Sequence, residues 1–126
     1  MGAFNYDPAP QGYVVGARTF KLVKFKNGDA FEGEVDADNN FDGQGIFVSA
    51  SDGSVYEGYW ANHKKNGRGR TIYAAEGPCY EGEFVENKKN GYGRYYWTSG
   101  KVYEGDFVVD KMTGYGKKTW SEKEIY

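Results

Sequence analysis

Residues 80–100 read YEGEFVENKKNGYGRYYWTSG, and the fold follows from how this stretch alternates. Tyr80, Gly82 and Phe84 fall on one parity and Glu81 and Glu83 on the other, as expected of a strand with two unlike faces. After the Asn90-Gly91 pair, a strong turn signal between strand candidates, the alternation resumes. Gly91, Gly93, Tyr95 and Trp97 share one parity, and Tyr92, Arg94 and Tyr96 the other. The stretch therefore predicts one β-hairpin. Its connection is longer than a two-residue turn, which favours a bulged or larger loop. Glycine recurs too often for a helix, and no 3.6-residue apolar period is present.

The same text returns on both sides. Tyr103 opens YEGDFVVDKMTGYGKKTW, Tyr56 opens YEGYWANHKKNGRGRTIYAAEG with its own Asn66-Gly67, and Phe31 opens the looser FEGEVDADNNFDGQGIFVSASDG. The openings step by 25, 24 and 23 residues (31, 56, 80, 103), the mark of a repeat architecture. Residues 17–30 form a half-unit around Asn27-Gly28 that lacks the Gly-x-Gly pair, as a terminal cap should. The predicted organisation is an extended arm over 1–16, a capping half-repeat over 17–30 and an array over 31–126. WSEKEIY (120–126) aligns with WTSGKVY (97–103), so Tyr126 stands where a fifth unit would begin. The last strand then offers an edge for self-association or a partner, or stays solvated by Glu122, Lys123 and Glu124.

With 19 glycines and 39% hydrophobic residues among 126, a thick core is not expected, yet the chain holds 12 Tyr, 8 Phe and 3 Trp. Rings lying flat over glycine backbone suit that composition. By parity, Gly33, Gly43, Gly45, Gly58, Gly67, Gly69, Gly82, Gly91, Gly93, Gly105, Gly114 and Gly116 share the face of Phe31, Tyr56, Tyr80 and Tyr103. Trp60, Phe84, Phe107, Phe47, Tyr73, Tyr95, Trp97 and Trp120 join them. The opposite face is a charge ladder in which Glu57, Glu81 and Glu104 are expected to meet Arg70, Arg94 and Lys117.

These residues carry a resemblance. YEGEF followed by NGYGRYYW and a closing SG resembles the MORN repeat (membrane occupation and recognition nexus), over roughly residues 20 to 126. All four units match its Gly-x-Gly middle, and the first departs only in Phe31 and in one extra loop residue. The resemblance implies an all-β fold: an elongated, twisted, single-layer antiparallel sheet of stacked hairpins.

Net charge is −2, which gives no overall footprint for nucleic acid. Lone Cys79 excludes an internal disulfide framework. No run approaches the roughly 18 apolar residues of a spanning helix, no apolar stretch follows a basic start, and Tyr6 stands where a myristoylation motif at Gly2 wants Ser or Thr. The expected setting is soluble and cytoplasmic. No metal-ligand spacing, nucleophile elbow or phosphate loop is found; the single histidine, His63, sits in a predicted loop, and the Gly-x-Gly pairs precede no helix. The chain reads as non-enzymatic, without cofactor or metal.

Two binding readings remain. In the first, a protein helix or extended peptide lies on the ring face of Tyr56, Trp60, Tyr73, Tyr80, Phe84, Tyr95, Trp97, Tyr103, Phe107 and Trp120, with Trp60, Tyr73, Tyr95 and Trp97 keeping exposed edges. The resemblance implies scaffolding in a cytoskeletal or ciliary assembly. In the second, Lys64, Lys65, Lys88, Lys89 and Lys111 form a basic edge for peripheral attachment to anionic phospholipid. Acidic Asp36, Asp38 and Asp42 in the first unit, and the lack of an apolar loop tip, weigh for the first reading.

Overall fold

The computed structural model describes residues 3–14, 17–74 and 77–120. Nine strands run in sequence order: β1 Thr19–Lys24, β2 Ala30–Val35, β3 Phe41–Val48, β4 Val55–Ala61, β5 Lys64–Ile72, β6 Cys79–Val85, β7 Lys88–Tyr96, β8 Lys101–Val108 and β9 Lys111–Trp120. Each pairs antiparallel with its neighbours, giving one open all-β sheet of hairpins. At a strand spacing of about 4.8 Å the sheet is roughly 38 Å across, and its strands twist as in any such sheet.

Register explains the glycines. Gly33, Gly45, Gly58, Gly69, Gly82, Gly93, Gly105 and Gly116 face one another in an unbroken line through eight strands. The line is a furrow without side chains, and the rings of Phe31, Tyr56, Tyr80 and Tyr103 lie in it. A methyl group built on Gly69 would come 2.5 Å from Cε1 of Tyr56, and one on Gly116 would come 2.6 Å from Cε1 of Tyr103. Only glycine leaves room for a ring at backbone level.

Each full hairpin carries a bulge beside the furrow. Between the pairs Gly82↔Gly93 and Phe84↔Lys89, Glu83 alone faces the three residues Asn90 to Tyr92. The carbonyl that the bulge takes out of the ladder is recovered by the ring below it. Tyr80 Oη donates to Glu83 O at 2.9 Å, Tyr56 Oη to Tyr59 O at 2.7 Å, and Tyr103 Oη to Asp106 O at 3.1 Å. The opening tyrosine thus fills the furrow and satisfies the bulge.

Two expectations from the sequence need correction here. Asn66-Gly67 and Asn90-Gly91 are not the turns. The turns are the two-residue pairs Asn62-His63, Glu86-Asn87 and Val109-Asp110, all at positive φ, while Gly67 and Gly91 supply positive φ inside the bulges. The bulge also reverses parity, so Gly43, Gly67 and Gly91 face the opposite side of the sheet from the furrow. There, methyl groups built on them would meet Arg18, Tyr59 and Glu83.

Successive hairpins are stapled at these turns. His63, Asn87 and Asp110 each donate a backbone N–H to the carbonyl of Phe41, Lys65 and Lys89 in the preceding hairpin, at 2.8 to 2.9 Å. Each also accepts that residue's N–H on its side chain, at Nδ1 of His63 (3.0 Å), Oδ1 of Asn87 (2.8 Å) and Oδ1 of Asp110 (2.8 Å).

The charge ladder lies on the opposite face, with partners partly different from those expected. Arg70 pairs with Glu57 at 2.6 Å, but Glu81 takes Arg68 at 2.6 Å rather than Arg94, and Arg94 turns to Glu104 at 3.2 Å, so the pair expected between Glu104 and Lys117 is replaced. Arg68 and Arg94 stand one strand before their carboxylates, so the ladder also links hairpins. Residues 3–14 lie across this face. Phe4 is buried beneath the guanidinium groups of Arg68 and Arg70, 5.3 and 5.7 Å from its ring. Tyr6 and Tyr13 set their edges against buried Tyr59, and Tyr13 Oη donates to Glu34 at 2.7 Å. The arm therefore covers polar backbone and charge where the repeats supply no second layer. In the half-unit, Gly28 turns the chain at φ +97, and Phe20 and Leu22 of β1 are exposed on an edge strand. Residues 121–126, with the start of a fifth unit expected at Tyr126, lie outside the described residues, as do 1, 2, 15, 16, 75 and 76.

Candidate functional site

The ring face has two tiers. The lower tier is the core: Phe31, Tyr56, Tyr80, Tyr103, Trp60, Phe84 and Phe107 are all buried. Within a hairpin the furrow ring meets its partner edge-on, as in Tyr80–Phe84 at 5.2 Å and Tyr103–Phe107 at 5.4 Å. Between hairpins the same ring meets the next unit's partner, in Phe31–Trp60 at 5.6 Å, Tyr56–Phe84 at 5.2 Å and Tyr80–Phe107 at 4.9 Å. This zigzag of edge-to-face contacts, each worth about 0.5–1.5 kcal/mol beyond burial, makes every unit depend on its neighbours.

The upper tier stands on the same face, one and two rows from the furrow. Phe47, Tyr73, Tyr95 and Trp97 are half-buried, with Tyr73 5.9 Å and Trp97 4.8 Å from Tyr95. Of the rings assigned to a partner from sequence, Tyr73, Tyr95 and Trp97 present accessible surface. Tyr56, Tyr80, Phe84, Tyr103 and Phe107 are packed beneath. Trp60 does not keep the exposed edge expected of it: it is only 7% exposed, because its indole Nε1 donates to Gly45 O at 3.1 Å and its ring fills the step beside Phe31. The side chain of Trp120 lies outside the described residues.

The lysines divide in the same way. Lys65 and Lys89 stand second in β5 and β7 and lie back over rings, Lys65 at 5.0 Å from Tyr56 and Lys89 at 5.7 Å from Tyr80. Lys64 and Lys88 are exposed beside acidic neighbours, 4.0 Å from Glu86 and 3.8 Å from Asp110, and Lys111 is exposed. Burial lowers the pKa of Lys65, and it raises the hydroxyls of Tyr56 and Tyr80 well above the ordinary tyrosine range. Among the described residues no three His, Cys, Asp or Glu side chains converge on a metal position, and no helix is long and apolar enough to cross a membrane.

Three contributors escaped the sequence reading. Phe41 stacks on Phe31 at 3.7 Å, taking the position two residues before the Gly-x-Gly pair that Lys65, Lys89 and Met112 occupy in later units. That alignment was available from sequence. His63 acts as a staple equivalent to Asn87 and Asp110, which the period also foreshadows. Tyr59 serves as the seat for the arm, and no repeat signal announces it.

The sequence model of the MORN repeat matches residues 56–75, 80–102 and 103–123. No curated protein matches the chain. Such repeats are generally protein- or membrane-interaction modules, and a non-enzymatic binding role fits the two-tiered face described above. Register, furrow and family match agree: the chain belongs to the MORN-repeat family.

Proposed function

We propose that this chain is a protein-interaction scaffold that holds a partner helix or extended peptide on the upper tier of its ring face. The observation that carries the reading is the half-exposed row Phe47, Tyr73, Tyr95 and Trp97, standing above rings that already complete the core. Aromatic side chains at the centre of a surface are the usual anchors of such contacts. The setting we assign, from the family resemblance, is a cytoplasmic cytoskeletal or ciliary assembly. The exposed lysines supply the competing reading, attachment to anionic lipid.

The test is a set of peptides selected on the full chain from a random-peptide display library, remeasured on Tyr95→Ala and Trp97→Ala. Losses of about tenfold or more in either variant support the reading, being the size expected for anchor truncation. Peptides indifferent to both variants would refute it. Flotation with phosphoinositide vesicles at near-physiological salt, abolished when Lys64, Lys65, Lys88, Lys89 and Lys111 are all changed to Glu, would move the role to the membrane.

A further inference from the structure

Between β2 and β8 the ring face is interrupted at one place, and beyond Tyr103 the row ends on Lys118 of β9. Counting across the sheet, the row beside the furrow reads Phe31, Phe47, Tyr56, Thr71, Tyr80, Tyr95 and Tyr103, so Thr71 stands where neighbouring units carry a ring. Ser49 likewise takes the position held by Tyr73 and Trp97 in the following units, four residues after the second glycine of the pair. These two small residues open a cavity of about 330 Å³ walled by Phe41, Phe47, Tyr56 and Trp60.

Its polar lining is the Lys65 ammonium, the His63 ring and the hydroxyls of Ser49, Ser54 and Thr71, all able to donate. Lys65 reaches in over Tyr56, and among the described residues no carboxylate lies within 4.0 Å of its Nζ. Thr71 is only 6% exposed, and its Oγ1 has no hydrogen-bond partner among the described residues. His63 accepts at Nδ1 from Phe41, which leaves the ring proton on Nε2. No acidic side chain lines the cavity. The contrast with the next unit is direct. Lys89, at the position of Lys65, donates to Tyr73 Oη at 3.0 Å and lies 3.6 Å from Asp110 Oδ1. Around Lys65 both partners are replaced: Ser49 stands for the tyrosine, and neutral Asn87 for the aspartate.

We propose that this cavity is a pocket for the carboxylate side chain of an aspartate or glutamate in the partner peptide, gripped by Lys65 and the Thr71 hydroxyl between aromatic walls. The inference rests on the ring face being the partner surface. A single ammonium among neutral donors balances one negative charge, so the pocket suits a carboxylate rather than a phosphate dianion. Asp110 and Asp52 act on Lys65 only from beyond contact distance; taking up the carboxylate gives its ammonium a partner in contact, as Asp110 is for Lys89, and partners the buried Thr71 hydroxyl.

The experiment is a double-mutant cycle on the full chain, using peptides selected from the display library and synthesised in acidic and amide forms, Glu→Gln or Asp→Asn. Lys65→Met is the variant of choice because Met112 fills the same position natively; Thr71→Tyr, which copies the ring of Tyr95, closes the cavity without touching the charge. The expected result is an acidic residue shared by the selected peptides, whose amide form binds about tenfold more weakly to the natural chain and equally well to Lys65→Met. Thr71→Tyr should lose the same preference. Selected peptides that need Tyr95 or Trp97 but show no acidic preference, or keep it in Lys65→Met, would overturn the pocket and leave the face reading intact. Failure to select any peptide dependent on Tyr95 or Trp97 would overturn both.

Discussion

Replacing Gly93 by alanine tests the furrow where it is tightest. The added methyl group would lie 2.6 Å from Cε1 and 2.7 Å from Cζ of Tyr80, far inside contact distance. The ring has nowhere to retreat within the layer: Phe84 and Phe107 hold it edge-on at 5.2 and 4.9 Å, and its hydroxyl is tied to Glu83 O at 2.9 Å. It must tilt outward. Overpacking of this kind costs about 1–3 kcal/mol, and losing the hydrogen bond adds about 1 kcal/mol, so a loss of roughly 2–4 kcal/mol is expected. Gly114→Ala is the control, because nothing lies within 4 Å of a methyl group there and only its φ of +90 resists the change. Backbone strain alone should cost about 1–2 kcal/mol. Urea unfolding of both variants, followed by tryptophan fluorescence with the slope unchanged, gives the two numbers. If Gly93→Ala costs no more than Gly114→Ala, ring-over-glycine packing does not hold the sheet together.

Tyr80→Phe keeps the ring and removes only the bond to the bulge carbonyl; a loss of about 1 kcal/mol in urea unfolding is expected, and no loss would deny the bulge its cap. His63→Asn should be near neutral, since Asn87 makes the same staple at 2.8 Å, whereas His63→Ala should lose about 1 kcal/mol; equal effects would refute the staple. Burial pushes the Cys79 thiol to about 11 and the Tyr6 hydroxyl to about 12, above their ordinary 9.0 and 10.0. The unfolded chain therefore gives up these protons first, so the stabilisation is whole below about pH 9 and drains away between about pH 9 and 12. A urea midpoint that holds level or rises over that range would contradict this. Phe4→Ala should free the arm at a cost of about 1–3 kcal/mol, seen as faster amide exchange at Tyr59 and Arg70; unchanged exchange would mean the arm docks without that ring.

The repeat was legible because its elements are local. Tyr80, Gly82 and Gly93 recur with their spacing, and strand parity assigns them a face before any contact is known. The turns were not legible in the same way. Val109, a β-branched residue, sits at φ +46, a conformation its side chain resists, because Asp110 is clamped from two sides by Lys89 of the previous hairpin. Tertiary hydrogen bonds chose the turn over the better local signal of Asn-Gly. The arm was illegible for a related reason. Phe4 finds its place through Arg68 and Arg70, more than sixty residues away, and nothing near it in sequence repeats. Within the site, the rings of Tyr73, Tyr95 and Trp97 keep accessible surface at positions that parity and spacing mark out, while Trp60 does not, since its indole bond to Gly45 belongs to a neighbouring unit. Residues Ser49 and Thr71 could be seen as departures from the repeat, but what they open depends on how Lys65 bends.

A surface built from equal steps of about 10 Å, two strand spacings, has a difficulty of its own: a ligand that fits one step fits the next equally well. Such a surface is a ruler without numerals, along which a bound chain slides at no cost. Thr71 and Ser49 break that translational symmetry. They mark one graduation as unlike its two neighbours, and so would give a chain held on this face, as proposed, an origin from which its position is counted.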